Sequence, residues 1–335
     1  MIKILCLHNA KHRASYRYRV GQFLPYWSDF DIEMQSICIS GKHYLNILRC
    51  LFIAQKYDYI LLQKKIIPRI LINIITAQSK LIYDFDDALY TRESRELEQK
   101  KTPSNSTIKK LNYILKKSAL AFAGSPELAN YSEIYNNNVH IIPTGLSQQI
   151  AKPIINPESG SITIGWIGND VNLFYLSIID DAIFFLQQKY PFVQFSVMCG
   201  NPPTTLKAHW HFTRWSSSAE KSWLASLDIG IMPLTDDAWS RGKCAFKLLQ
   251  YMAYGKPVVA SDVGANRTTV SDRQNGYLVR TTEEWISALE KLILDRDMRI
   301  NMGKESLRIF TGQFERSQIQ QKIADILHEF HQQAR

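Results

Sequence analysis

A chain of 335 residues has room for one large core or two of ordinary domain size. Its 45% hydrophobic and 21% charged residues are those of a folded globular protein and exclude an intrinsically disordered one. The net charge of +9 is unevenly placed: residues 1–150 carry 20 Lys and Arg against 12 Asp and Glu, whereas residues 151–335 carry 20 against 19.

The five cysteines (Cys6, Cys38, Cys50, Cys199, Cys244) are odd in number, far apart and without a Cys-x-x-Cys pair. That argues against a disulfide framework or a zinc cluster and for a reducing compartment. The first residues lack the long apolar region and cleavage site of a signal peptide, and no uncharged apolar run is long enough to span a bilayer. The expectation is a cytoplasmic protein.

In chain order, strand-like runs fall at 2–8, 32–38, 58–63, 80–85, 119–124 and 139–142. Patterns of helical period lie between them, at 16–27, 43–56, 68–77, 107–117 and 126–135. Alternation of this kind implies parallel strands joined by crossover helices, hence an α/β fold. Segments 42–52 and 64–80 are apolar with basic ends, and 109–117 carries four lysines. Such segments read either as core-packing helices with solvated lysines or as a surface for the anionic headgroups of an inner membrane face, to which the chain would then attach peripherally. The modest charge excess and the lack of a reading motif speak against nucleic acid.

Residues 148–160, with Pro153 and Pro157 and little periodicity, read as a linker between a first domain at 1–147 and a second at 161–313. In the second domain, strands are expected at 162–167, 193–199, 211–215, 228–232, 257–261 and 277–280. Helices are expected at 173–189, 219–227, 242–254, 282–294 and 298–310. A final amphipathic helix within 314–335 has no strand after it and is assigned to the first domain. Ligands of such sheets lie beyond the carboxyl ends of the strands.

The densest chemical signal is the stretch 231–257, a strand, a polar loop, a helix and a glycine stop. On a helix over 242–254, Lys243, Lys247, Gln250 and Tyr254 share one face, and Phe246, Leu249, Met252 and Ala253 lie opposite. Lys243 would stand in the first helical turn, where a cation is unfavourable by about 0.3–1 kcal/mol. A pyrophosphate over that turn reverses the sign, taking free backbone amides and lysine contacts. Arg241 and Gly242 stand at its entrance, and Gln250 could bond ribose hydroxyls.

The runs Asp228-Ile229-Gly230-Ile231-Met232-Pro233-Leu234 and Lys247-Leu248-Leu249-Gln250-Tyr251-Met252-Ala253-Tyr254-Gly255-Lys256-Pro257, with Asn275-Gly276-Tyr277 after them, resemble the donor-site signature of family 4 glycosyltransferases, the glycosyl transferases group 1. Ser125-Pro126-Glu127-Leu128-Ala129, Ile142-Pro143-Thr144-Gly145 and Ile164-Gly165-Trp166-Ile167-Gly168 resemble further parts of it, so the likeness covers nearly the whole chain. It implies a GT-B fold of two Rossmann-like, doubly wound parallel-sheet domains facing a central cleft. It also implies a nucleotide-sugar donor as co-substrate, no covalently bound cofactor, no required metal, and retention at the anomeric carbon. The activity implied is glycosyl transfer to a glycan, lipid-linked or other hydroxyl acceptor in polysaccharide or glycoconjugate synthesis. Two positions depart from the pattern: Gly242 and Gln250 stand where the family usually has glutamates.

On this reading the donor nucleoside packs near Arg214 and Trp215, its diphosphate lies over Arg241, Lys243 and Lys247, and its ribose is near Gln250 with Gly168 and Asn169 beside it. Lys243 and Lys247 stabilise the departing diphosphate. In the first domain Ser15 is a plausible cap for a helix bearing Arg17 and Arg19, candidates for reaching phosphate or acceptor. Asp86 and Asp87 are candidates for an acceptor-hydroxyl or sugar contact. Asp84-Phe85-Asp86 also has Asp-x-Asp spacing, but no metal is assigned to it. Rival readings are a nicotinamide-dependent oxidoreductase or epimerase, disfavoured because the first turn 8–13 has no Gly-x-Gly-x-x-Gly, and a non-catalytic sugar-binding relative.

Overall fold

The structure is a computed structural model and describes residues 1–11, 13–39, 45–147 and 161–333. The expected linker, 148–160, and the start of the expected 43–56 helix lie outside these residues. The chain divides into two compact units, one of Met1–Gly145, Arg241–Cys244 and Arg316–Arg335, the other of Leu146–Ser240 and Ala245–Glu315.

The first unit holds six parallel strands in the order β2-β1-β3-β4-β5-β6. They are β1 Ile2–His8, β2 Ile32–Cys38, β3 Tyr59–Gln63, β4 Lys80–Phe85, β5 Leu120–Ala123 and β6 Val139–Ile141. Every residue of β3 and β5 is buried, as expected for central strands covered on both faces. Helix Pro126–Glu133 starts where local chemistry directs: Ser125 Oγ accepts from Leu128 N, and Pro126 stands where no amide donor is lost. The last helix, Arg316–Gln333, places Ile319, Ile323 and Leu327 in the same core as Ile4, Phe23, Trp27 and Ile82. Gln320 and His328 tie it down by bonding the carbonyls of Phe23 and Phe30.

The second unit is also a six-stranded parallel sheet, ordered β12-β11-β10-β7-β8-β9. Its strands are β7 Ile162–Ile167, β8 Val193–Cys199, β9 His211–Arg214, β10 Ile229–Met232, β11 Val258–Ser261 and β12 Gly276–Val279. Taken in chain order from β7, this is the arrangement in which the chain first winds outward in one direction and then returns to wind in the other. The switch falls between β7 and β10. Thr281 and Glu284 form a reciprocal capping box at the start of helix Thr282–Leu294.

Three expected helices are built differently: of the 173–189 segment only Asp180–Lys189 is α-helix, preceded by the 3-10 segment Asp170–Ile179. The 16–27 segment is a short α turn, Ala14–Tyr16, then a π segment, Arg17–Gly21, and a 3-10 segment, Leu24–Phe30. Pro25, which has no amide hydrogen, stands in the first turn of the last of these. The expected 242–254 helix is broken. Ala238–Arg241 is a separate turn, Ala245 has a left-handed backbone (φ 52), and the helix proper is Phe246–Ala253. Lys243 therefore lies outside the helix, and the single face shared by Lys243, Lys247, Gln250 and Tyr254 does not form; Gln250 and Tyr254 are buried.

Candidate functional site

In the second unit, β7 and β10 are paired only at Ile164 with Ile229 and Gly165 with Gly230. Beyond that point they part, leaving backbone groups of both strands to be satisfied by something else. The Tyr251 hydroxyl does so, accepting from Ile167 N at 3.1 Å and donating to Ile231 O at 3.3 Å. Gly230 makes room for the ring, since a Cβ there would lie 2.2 Å from Tyr251 Cγ. The gap between the carboxyl ends of β7 and β10 is thus built into the sheet, at the place where such sheets take ligands.

Gly168 follows the end of β7. A Cβ on it would lie 2.5 Å from the Trp166 ring and 3.0 Å from Lys247 Cε, so the lysine stem runs across a position that carries no side chain. Lys247 is the second residue of helix Phe246–Ala253, and its Nζ is 5.3 Å from the centre of the Trp166 ring. Asn169 is exposed beside it, at the start of the 3-10 segment Asp170–Ile179. Asp170 fixes the neighbouring loop by accepting from Gly200 N at 2.7 Å, Asn201 N at 3.0 Å and Asn201 Nδ2 at 2.6 Å. Arg214 ends β9 and is exposed. Trp215 follows it, with its amide donating to Cys199 O at 2.8 Å and its indole N–H to Glu220 Oε2 at 2.6 Å. The other Glu220 oxygen accepts from Gln250 Nε2 at 3.1 Å.

Arg241 and Lys243 belong to the other unit, so the residues expected over the diphosphate divide between two bodies. Their segment explains one departure in the sequence. A Cβ at Gly242 would lie 2.6 Å from Ala88 Cβ, which leaves no space for a glutamate. Ser125 Oγ donates to Gly242 O at 3.4 Å, and the Cys244 thiol donates to Asp86 O at 3.1 Å.

Within the first unit, Arg19 is not a reaching group. It is 7% exposed; Nε donates to both oxygens of Asp84 at 2.9 and 3.1 Å, Nη2 also bonds Asp84, and Nη1 donates to Ile142 O at 2.9 Å. Burial works against its charge, but Asp84 outweighs burial and holds the guanidinium protonated. Arg19 lies in the π segment and is buried, where an isolated cation would be prohibitive without this partner. Arg17, two residues earlier, is half-buried with its guanidinium 5.2 Å from the Tyr18 ring. Ser15 Oγ accepts from Gln63 Nε2 at 2.7 Å.

Asp86 and Asp87 both meet Lys64, Asp86 at 3.0 Å. Burial pushes the Asp86 carboxyl up, but Lys64 and Arg19 prevail and hold it below the usual carboxylate range. Burial likewise disfavours the Lys64 charge, and the two aspartates more than restore it. Arg19 thus pairs with Asp84, while Lys64 is shared between Asp86 and Asp87. Among the described residues no group of three or more His, Cys, Asp or Glu could hold a metal ion. His8, at the end of β1, is fully buried, stacks on Tyr16 at 3.9 Å, and its Nε2 has no hydrogen-bond partner among the described residues.

Residues 163–295 match the family Glycosyl transferases group 1. The chain carries a glycosyltransferase domain. Of the curated proteins, D-inositol 3-phosphate glycosyltransferase of Paenarthrobacter aurescens (strain TC1) is 34% identical over 85 residues, 25% of this chain. The match spans only a fifth of that relative's length. Solved structures match over nearly the whole chain. Anabaena HepE in complex with UDP-glucose superposes with a TM-score of 0.72 at 16% identity, covering 98% of this chain and all of its own. Sucrose-phosphate synthase from Thermosynechococcus elongatus gives 0.74 at 12% identity, covering 99% of each chain. The fold is GT-B, and the matched domain contains the β7/β10 gap, Lys247 and Gln250.

Sequence reasoning missed Tyr251, Trp166 and Glu220. Tyr251 had a signal in Gly230, a glycine inside a strand, which marks a close approach. Glu220 had none, because it meets Gln250 only through the packing of separate helices.

Proposed function

We propose that the chain transfers a sugar from a nucleotide-sugar donor to a hydroxyl acceptor, with retention at the anomeric carbon, as a family 4 enzyme. The observation that carries this reading is the β7/β10 gap with Lys247 lying across the bare Gly168. A side-chain-free strand end and a lysine together suit a diphosphate, each charge-assisted bond contributing about 1.5–3 kcal/mol. Lys247 stabilises the departing diphosphate. The acceptor oxygen bonds to the anomeric carbon as the bond to phosphate breaks on the same face, and a phosphate oxygen takes the acceptor's proton. This chemistry asks for no metal, and in the first unit the acceptor's hydroxyls are assigned to Ser15, Asp86 and Asp87.

Because one structural neighbour is solved with UDP-glucose, UDP and its sugars come first in a calorimetric panel with GDP and ADP. Lys247→Ala should weaken the cognate diphosphate at least tenfold, about 1.4 kcal/mol. Unchanged affinity in a folded variant would remove the assignment. Retention is read from the anomeric configuration of the product by NMR, and an inverted product would contradict it.

The acceptor side also supports attachment to an anionic membrane. Helices Asn46–Ile53 and Arg69–Thr76 are neighbours and leave Phe52 80%, Ile70 67% and Leu48 49% exposed, beside Arg49 and Arg69. Apolar side chains among cations suit an interfacial surface. No helix among the described residues is long and apolar enough to cross a membrane. Flotation with anionic vesicles should carry the protein in low salt and less of the Phe52→Ser variant; equal flotation of both would sink this part.

A further inference from the structure

We propose that Glu220 binds the ribose of the donor, held in place for that task by Gln250 and Trp215. The inference rests on the donor reading above and adds a residue and a ligand group to it. Gln250 lies one turn beyond Lys247 on helix Phe246–Ala253, yet it is only 6% exposed and spends its amide on Glu220 Oε1 at 3.1 Å. Trp215, from the end of β9, donates its indole N–H to the other oxygen at 2.6 Å. Two donors from two separate elements thus fix both oxygens of a carboxylate that stands in the first turn of helix Ser217–Ser226.

An ionised carboxylate only accepts hydrogen bonds and offers about four lone-pair sites, of which two are taken here. What it adds to a binding site is therefore an acceptor for O–H or N–H groups of a ligand. It cannot face phosphate, which is also an anion and an acceptor. Along the helix the cation at 247 and the amide at 250 are separated by about 4.5 Å of rise. The site thus has one end for negative charge and an adjacent end for hydroxyl donors. A nucleoside diphosphate has that order of groups, phosphate next to a ribose with two vicinal hydroxyls, and a carboxylate is a recurrent partner of ribose hydroxyls. The Trp215 ring, 40% exposed, adds a flat apolar surface next to the carboxylate, suited to a furanose or base.

The test compares UDP, GDP and ADP with their 2′-deoxy counterparts by calorimetry, on the wild-type chain, Glu220→Gln and the exchanged variant Glu220→Gln/Gln250→Glu. The wild type should bind its cognate ribonucleotide at least tenfold more tightly than the deoxy form. Glu220→Gln should bring that ratio near one by weakening the ribonucleotide alone, with Lys247→Ala instead weakening both forms alike. The exchanged variant, which returns a carboxylate to the same pair, should recover part of the ratio, and it carries the test if the single variant does not fold. A wild-type ratio near one, or a ratio that Glu220→Gln leaves intact, overturns the inference while the donor reading stands. Failure of the wild type to bind any diphosphate overturns the donor reading itself.

Discussion

Replacing Arg19 with methionine should collapse the first unit and leave the second intact. The Arg19 and Asp84 side chains are 2% and 7% exposed, and the guanidinium spends its hydrogen bonds on Asp84 and on Ile142 O. Methionine fills much of the volume but strands a buried carboxylate, a change that costs about 3–5 kcal/mol. It also leaves the Ile142 carbonyl without its charged donor, which is part of that cost. Hydrogen exchange read on β1 and β4 should accelerate by roughly two to three and a half orders of magnitude, at about 1.4 kcal/mol per tenfold. Exchange in β7 and β8 should not change. The double variant Arg19→Met/Asp84→Leu removes the stranded charge and should recover most of the loss, since apolar replacements of buried pairs are often near neutral. Unchanged exchange in Arg19→Met, or a double variant no better than the single, would refute the claim that Arg19 serves the fold rather than a ligand.

Gly168→Ala should be costly although the change is one methyl group. The new Cβ would meet the Trp166 ring at 2.5 Å, and Trp166, 1% exposed, has nowhere to move, so overpacking of about 1–3 kcal/mol is expected. Thermal melting should register that loss, and calorimetry should register weaker diphosphate binding; a variant equal to wild type in both would contradict the site geometry. His8 should make stability depend on pH. Its burial is the larger effect and lowers the imidazole from 6.5, with the Asn9 carbonyl opposing only in part. The unfolded chain then binds the proton more readily, so His8 costs no stability above about pH 6.5 and destabilises progressively as pH falls below it. His140 shifts in the same direction and adds to the slope. Denaturant midpoints measured from about pH 7.5 to 5.5 should fall, and less steeply in His8→Gln; equal slopes would remove His8 from the account.

The sheets were legible because parallel, buried strands are continuous apolar runs. The run at 2–8 could hardly be anything else, and all twelve strands lie on or within a residue or so of the expected runs. Helices failed where backbone geometry departs from the regular period. Arg19 reads as a candidate for reaching phosphate or acceptor because no carboxylate stands near it within 16–27, whereas the structure buries it against Asp84. The pairing joins positions 65 apart in sequence, a distance over which side-chain periodicity carries no information. Gln250, expected to bond ribose hydroxyls, is instead buried against Glu220, because helix Ser217–Ser226, which meets it, lies on a separate stretch of chain.

The break at Ala245 changes which argument supports a phosphate site. With the helix beginning at Phe246, the cation in its first turn is Lys247 rather than Lys243, and its Nζ lies over the Trp166 ring. The dipole penalty for such a lysine is about 0.3–1 kcal/mol. A cation over an indole face gains about 0.5–1 kcal/mol, or more where water is excluded. The two nearly cancel, so the presence of Lys247 does not by itself demand an anion. What remains in support of the proposed site is the conjunction with the parted strands. Tyr251 holds Ile167 and Ile231 at the gap, Gly168 keeps the floor of it free of a side chain, and Lys247 crosses that floor. A helix needing only a surface lysine would require neither the bare glycine nor the bridging tyrosine, so the reading rests on three residues from separate elements that shape one strand end.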